Sequence, residues 1–164
     1  MTHLAHIGLG SNLDDPRAQV STAIAEIGAL PGTDIVARSS LYSSPPMGPQ
    51  DQPHYINAAL AVATRLSCHA LLDALQMLER AHGRARDGVH WGPRTLDLDI
   101  LLYDDEQVAG PRLHLPHPGL KERDFVVLPL LEIAPTLTLP DGESLASVAA
   151  RLAPSATAVR LDDA

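Results

Sequence analysis

The order of its periodic segments constrains this chain more than any other feature of the sequence. Four short segments rich in apolar and β-branched residues are typical of strands, and two longer ones with apolar residues at helical spacing are typical of helices. The predicted elements, in order, are a strand over 4–10, a helix over 16–30, strands over 35–44 and 55–66, a helix between Ser67 and Gly83, and a strand over 95–103. This β-α-β-β-α-β order is that of the ferredoxin-like fold. We therefore predict an α+β structure with a ferredoxin-like antiparallel sheet and helices packed on it.

Further segments follow this core and two loops interrupt it. We predict a proline- and histidine-rich turn over 111–118, a short helix over 123–133 and a last helix over 144–152. The predicted loops are 45–53, which has four prolines in nine residues, and 84–93. Because no linker or repeat divides the sequence, we expect residues 1–164 to form a single domain, with a tail that frays from about Pro154.

Composition and charge argue against several classes of protein. The 164 residues carry a net charge of −8, so most of the surface would repel phosphates and we expect no nucleic-acid partner. The single cysteine, Cys68, cannot form an internal disulfide. The longest apolar run, 125–131, is broken by Pro129 and is too short to cross a membrane, and we recognise no signal peptide. We expect a soluble, cytoplasmic protein without a membrane partner.

Two acidic residues on the last predicted strand are the strongest local signal of chemistry. Asp97 and Asp99 are two apart, so on a strand they point to the same face with Cα atoms about 6–7 Å apart. Two carboxylates at that spacing can bind hard cations such as Mg²⁺, which completes its shell with water and phosphate oxygens. The alternative is a solvated pair on an edge strand, because this spacing of aspartates is common.

The charges around this pair favour a polyphosphate ligand. Four of the eleven arginines lie between Arg80 and Arg94, whereas 97–106 holds five acidic residues and no basic one. A basic loop followed by an acidic strand suits a phosphate chain bridged by metal, because guanidinium groups bind phosphate oxygens while carboxylates bind the cation. A solvated helix end would also explain Arg80, but it explains Arg94 poorly.

Aromatic residues are scarce, and three of the five fall near this region. Tyr55 shares a predicted strand face with Asn57, Trp91 lies in the basic loop, and Phe125 lies in the late helix. Aromatic rings and an amide beside a phosphate site favour a flat, hydrogen-bonding heterocycle as a ligand. Packing in the core remains the alternative for each ring.

Seven motifs follow one another along the chain, at 10–13, 44–53, 55–57, 83–86, 91–100, 116–118 and 123–135. In sequence and order they resemble the 6-hydroxymethyl-7,8-dihydropterin pyrophosphokinase family, whose members transfer a diphosphate from ATP to a pterin alcohol in folate biosynthesis. The string WGPRTLDLDI at 91–100 is highly specific to that family. The resemblance extends over nearly the whole chain, and it implies a ferredoxin-like core with mobile loops that close over the substrates.

The resemblance also implies a role for individual residues. Asp97 and Asp99 would bind two Mg²⁺ ions together with ATP, and with Arg84 and Arg94 they would form the catalytic set. Tyr55 and Phe125 would enclose the pterin ring. The implied ATP-binding residues are Gln76, Glu79, Arg84, Trp91, Arg94, Ile100, Arg112, His114, His117 and Arg123. The implied pterin-binding residues are Ser44, Pro45, Pro46, Met47, Tyr55, Asn57, Trp91, Asp97 and Phe125.

Two other functions remain open on the sequence. Another two-metal phosphotransferase, such as a nucleotidyl transferase, would release pyrophosphate, whereas pyrophosphoryl transfer releases AMP. A ferredoxin-like regulatory domain would bind a small ligand without turnover. That second alternative leaves Asp97, Asp99 and Arg94 without a shared purpose.

Overall fold

An antiparallel sheet of six strands organises the chain. The structure is a computed structural model that describes residues 1–13, 15–46, 53–83 and 96–161. The strands of the main sheet are β1 (His3–Ser11), β2 (Thr33–Arg38), β3 (Tyr42–Ser44), β4 (Tyr55–Thr64), β5 (Asp97–Tyr103) and β8 (Val159–Arg160), and a separate hairpin pairs β6 (Val108–Ala109) with β7 (His114–Leu115). The helices are α1 (Pro16–Gly28), α2 (Cys68–Ala81), α3 (Asp124–Ile133) and α4 (Leu145–Leu152), with short 3₁₀ turns at Leu120–Glu122 and Ala153–Ser155.

The strand order confirms the predicted α+β class. β1 lies between β5 and β4, while β2 and β3 both pair with the other edge of β4 and β8 pairs with β3. The register places Gly10 of β1 opposite Asp97 of β5 on one side and opposite Asn57 of β4 on the other. The ends of three strands thus meet at one end of the sheet.

The helix starts follow from capping side chains that the sequence already indicates. Asp15 precedes Pro16 and its carboxylate accepts a hydrogen bond from the N–H of Ala18. The hydroxyl of Ser67 accepts from the N–H of Ala70 at 3.1 Å. Such caps satisfy N–H groups that have no partner in the first turn of a helix.

The sheet is buried on both faces. Strand residues such as Ile7, Leu60 and Ile100 form one core with the apolar sides of α1 and α2. Ala59 and Leu101 form a second core with α3 and α4 on the opposite face. Within the described residues, no helix combines the length and the apolar character that a membrane crossing requires.

The predicted strand over 35–44 is two strands in the structure. At the break, the hydroxyl of Ser39 accepts from the N–H of Ala59 at 2.9 Å, while the N–H of Ser40 turns to Glu132 of α3. The Ser39 side-chain oxygen therefore accepts the hydrogen bond that a backbone carbonyl would accept in a regular strand pair. The chain departs from β4 over residues 39–41 and pairs with it again at β3.

The tail differs from the expected fraying. Asp124 Oδ2 accepts hydrogen bonds from the N–H groups of Thr157 and Ala158 at 2.6 and 2.8 Å. β8 then pairs with β3, and the N–H of Leu161 donates to the Leu41 carbonyl at 2.8 Å. As far as Leu161, a carboxylate and a strand edge therefore satisfy the backbone of the tail that was predicted to fray from about Pro154.

Candidate active site

The two aspartates of β5 point to one face of the sheet. Leu98 and Ile100, which alternate with them, are 4% and 3% exposed in the core against α1 and α2. Asp97 and Asp99 therefore lie on the opposite face, the face on which α3 and α4 pack further along the sheet. Both are half-buried, and the Asp99 side chain is 47% exposed. The face predicted from the sequence is the one observed.

A glycine separates this pair from the amide and the ring predicted to bind a heterocycle. Gly10 lies in register between Asp97 and Asn57. A Cβ atom at Gly10 would lie 3.3 Å from Asn57 Oδ1 and 3.6 Å from Tyr55 Cδ1. Because Gly10 has no side chain, Asn57 and Tyr55 come close to the β1 backbone, and a strip without side chains separates them from Asp97.

The amide of Asn57 is held by a buried hydroxyl. Asn57 Nδ2 donates to Ser44 Oγ at 2.7 Å, and the two residues are 5% and 2% exposed. Ser44 itself pairs with Tyr55 across β3 and β4. Pro45 and Pro46, which follow Ser44, are half-buried and buried. Ser44, one of the predicted pterin residues, therefore holds the amide of another, Asn57, in one orientation.

Asn12, in the turn after β1, has a structural role that the sequence did not indicate. Asn12 is 1% exposed, and its Nδ2 donates to the Pro53 carbonyl at 3.0 Å. This hydrogen bond joins the end of β1 to the start of β4, which carries Tyr55 and Asn57.

Glu79 contacts the backbone of the strand that carries the aspartates. It is 4% exposed, and its Oε2 accepts from the N–H of Leu98 at 2.8 Å. Leu98 lies between Asp97 and Asp99, so a carboxylate of α2 fixes the outer edge of β5 at this position. Gln76, one turn earlier, is half-buried.

A histidine and an arginine meet around a second glycine near Asp99. His117 Nε2 lies 3.6 Å from Asp99 Oδ1, and its Nδ1 accepts from the N–H of Gly119 at 3.1 Å. Because Nδ1 is an acceptor, the proton lies on Nε2, toward the carboxylate. A Cβ atom at Gly119 would lie 2.6 Å from Arg123 Nε, so the guanidinium lies directly over this glycine.

Arg112 and Gln76 also meet, together with a residue that the sequence analysis missed. Arg112 Nη2 donates to Asp73 Oδ1 at 2.5 Å and to Gln76 Oε1 at 3.2 Å. Asp73 lies three residues before Gln76 on α2, so helical spacing places it on the same face as Gln76. In the sequence, only this spacing from Gln76, together with the earlier choice of Arg112, could have indicated Asp73.

The other predicted residues divide into three groups. Ile100 lies in the core on the opposite face from Asp99, so only its backbone could contact a nucleotide there. His114 is exposed, with Nδ1 3.2 Å from the Pro116 carbonyl, and Phe125 is half-buried in the first turn of α3. The predicted roles of Met47, Arg84, Trp91 and Arg94 fall outside the described residues.

A three-residue cluster at the other end of β1 offers metal-ligand atoms as well. His3, Asp104 and Glu106 place such atoms within 4.8 Å of one another. Asp104 already accepts from Leu4 N–H at 2.9 Å and lies 2.6 Å from His3 Nδ1. These contacts explain the closeness of the side chains by the pairing of β1 with β5, without a metal ion.

Comparisons with known proteins agree on one family. The model of the family 7,8-dihydro-6-hydroxymethylpterin-pyrophosphokinase (HPPK) matches residues 6–135. The 2-amino-4-hydroxy-6-hydroxymethyldihydropteridine pyrophosphokinase of Pseudomonas aeruginosa is 48% identical over 145 residues, which cover 88% of this chain and 89% of the relative. The enzyme of the same name from Haemophilus influenzae is 46% identical over 149 residues, covering 91% and 92%.

Solved structures agree in fold. Plasmodium falciparum HPPK-DHPS with pteroate superposes with a TM-score of 0.73 over 92% of this chain, at 12% identity. The chain spans 42% of that larger protein, and at this identity the likeness shows the fold alone. The sequence matches go further, and together with the geometry above they show that the chain belongs to the 7,8-dihydro-6-hydroxymethylpterin-pyrophosphokinase family.

Proposed function

We propose that this chain transfers the diphosphate of ATP to the hydroxymethyl group of 6-hydroxymethyl-7,8-dihydropterin and releases AMP, as a single cytoplasmic domain in folate biosynthesis. One observation carries this proposal. Asp97, suited to bind a metal ion with phosphates, and Asn57, suited to bind a heterocycle, lie on one face of the sheet on either side of Gly10. The pterin and the phosphates can therefore lie side by side, which is the arrangement that the transfer requires.

The pterin half of the site supplies shape and hydrogen bonds. Asn57 offers an amide whose orientation is set by Ser44, so it can bind the amide edge of the pterin without first ordering its own side chain. Tyr55 from β4 and Phe125 from α3 offer rings for the two faces of the heterocycle. The resemblance assigns Pro45, Pro46, Met47 and Trp91 to the pterin as well.

The phosphate half supplies charge. Asp97 and Asp99 are two carboxylates on one face, and such hard oxygen donors fit Mg²⁺. They would hold two Mg²⁺ ions with ATP, and the bound ions would neutralise charge on the phosphates. Among the other residues assigned to ATP, His117 lies near Asp99, and Arg123 lies over Gly119, whose N–H donates to His117. Arg112 and Gln76 meet at α2.

The reaction needs no nucleophile from the protein. The hydroxymethyl oxygen forms a bond to the β-phosphorus, the bond from that phosphorus to the oxygen bridging to the α-phosphorus breaks, and AMP leaves with that oxygen. The hydroxyl proton is lost to solvent or to a phosphate oxygen. The chain contributes by positioning both substrates and by stabilising charge, the main sources of catalysis in phosphoryl transfer. Arg84 and Arg94 are assigned to the phosphates in this proposal.

Measurement of AMP in the presence of ATP, Mg²⁺ and 6-hydroxymethyl-7,8-dihydropterin tests the proposal. AMP should form only when pterin and metal are both present. Asp97→Asn and Asp99→Asn should each lower turnover by about a hundredfold or more. Asp105→Asn, which removes an exposed carboxylate beyond the end of β5, is the matched control and should leave turnover unchanged.

Two outcomes would contradict the proposal. Release of pyrophosphate in place of AMP would identify a nucleotidyl transferase. A folded protein that binds the pterin but forms no AMP would identify a binding domain.

A further inference from the structure

A cavity of about 530 Å³ lies at the junction of β2 and β3, apart from the candidate active site. Arg17 and Ser21 line it from α1, residues 38–41 line it from the strand break, and Glu132 lines it from α3. None of these residues belongs to the site described above, so the inference drawn from them does not depend on the proposed function.

The inner wall of this cavity includes Glu132, whose carboxylate already accepts several hydrogen bonds from the protein. Glu132 accepts hydrogen bonds from Ser40 N–H at 3.0 Å, from Ser40 Oγ at 3.1 Å and from Tyr42 OH at 2.7 Å. Burial raises the pKa of Glu132, but the hydrogen bonds from Tyr42 and Ser40 outweigh burial and hold it below its usual value. The charge of Glu132 is therefore already stabilised by the protein.

The rim of the cavity carries cations without such partners. Arg17 and Arg38 are both exposed, and within the described parts of the chain no carboxylate lies within 4.0 Å of either guanidinium. By contrast, Arg112 is paired with Asp73, and Arg151 with Glu143. A third guanidinium, that of Arg160, lies 3.9 Å from Glu132 Oε2. Arg17 and Arg38 thus line the same cavity as Glu132, and Arg160 lies beside that carboxylate, on a chain whose net charge is −8.

We propose that this cavity binds an oxyanion of the phosphate class, either free or as a small phosphate ester. The guanidinium groups come from α1 and from the end of β2, and Ser21 of α1 adds a hydroxyl to the cavity lining. Donors from separate elements suit a tetrahedral phosphate, whose oxygens point in several directions, better than a planar carboxylate. The volume is in the range of small-molecule sites, so an ester can fit as well as the free anion.

Titration of the ¹⁵N-labelled protein with inorganic phosphate, without nucleotide or divalent metal, tests this site. We expect saturable shifts of the amide resonances of residues 17–21 and 38–41. Arg17→Gln combined with Arg38→Gln should raise the apparent Kd for phosphate at least about tenfold. Arg65→Gln is the matched control, because Arg65 is also exposed but packs beside Gly32, away from the cavity. Unchanged melting temperatures will show that the variants are folded.

Glycerol phosphate as a second probe distinguishes the two sources of the anion. Tighter binding than inorganic phosphate assigns the site to an ester, and equal binding assigns it to the free anion. Four results overturn the proposal: shifts confined to the region of Asp97, Asp99 and His117, wild-type affinity in the double variant, an equal loss in Arg65→Gln, or no saturation in the millimolar range.

Discussion

Glu79 of α2 accepts a hydrogen bond from the backbone N–H of Leu98, midway between the two aspartates assigned to the metal. A nearly fully buried carboxylate is costly to keep ionised unless it is hydrogen bonded. In this chain it sets the position of the strand segment from which both carboxylates project. The helix that carries Gln76, which is assigned to ATP in the proposal, therefore also fixes β5.

Replacement of Glu79 by alanine should destabilise the fold. It leaves the Leu98 N–H without this acceptor in a buried place and opens a cavity, so we expect a loss of about 1–3 kcal/mol in the free energy of unfolding. Glu79→Gln keeps an acceptor oxygen and should lose less. Urea denaturation measures both, and Met77→Ala, at a position 64% exposed on the same helix, is the control. Equal stability of Glu79→Ala and wild type would contradict this role.

His6 should make the fold sensitive to acid. It is 5% exposed on β1, and no hydrogen-bond partner is found for its Nδ1 among the described residues. Burial lowers the pKa of His6 below 6.5, so between that value and the folded-state pKa the unfolded chain binds more protons than the native one. Stability is therefore full above pH 6.5 and declines as the pH falls below it, by at most about 1.4 kcal/mol per pH unit.

Urea midpoints measured from neutral to mildly acidic pH test this effect. His6→Leu should remove the part of the decline that is due to His6, and His54→Gln, at an exposed position, should not. A wild-type curve parallel to that of His6→Leu across this range would show that His6 does not contribute.

Gly119→Ala should lower turnover more than stability. The new Cβ would occupy the place of the Arg123 guanidinium, which can swing away because it ends a flexible side chain. We expect near wild-type urea denaturation and a drop in kcat. Gly110→Ala is the control, since its Cβ would meet only the Leu113 carbonyl at 3.5 Å. If the effect runs through Arg123, the double variant with Arg123→Ala will be no slower than Arg123→Ala alone.

Ser44→Ala should weaken pterin binding. It removes the acceptor that orients the Asn57 amide, so this side chain must be ordered when the pterin binds, which costs about 0.5–1.5 kcal/mol of binding free energy. Calorimetric titration with the pterin should show this loss, whereas the affinity for ATP should not change. Ser43→Ala, on the other face of β3, is the control. Equal pterin affinity in Ser44→Ala and wild type would show that the hydroxyl does not orient the amide.

The elements that local patterns control could be predicted. Alternation of Asp97 and Asp99 with Leu98 and Ile100 predicts the face of the carboxylates, and Asp15 with Pro16 predicts the start of α1. The features that could not be predicted depend on contacts between distant segments. The strand break at Ser39 requires Ala59 and Glu132 beside it.

The candidate site follows the same division. Tyr55 and Asn57 are brought together by their spacing on one strand, as expected. The contact of Arg112 with Asp73 depends on where the turn between β6 and β7 meets α2, and that of Arg123 with Gly119 on how the segment after β7 folds. No local pattern encodes either path.

The hydrogen bonds between Asp124 and the tail also bear on when the fold is completed during synthesis. Asp124 begins α3 and is followed by Phe125, and its carboxylate binds the N–H groups of Thr157 and Ala158. During synthesis these two residues leave the ribosome after every strand from β1 to β7 and after all four helices. The first turn of α3 is therefore secured only late in translation, and a nascent chain whose strands β1 to β7 have already left the ribosome still lacks the contact that holds the start of this helix.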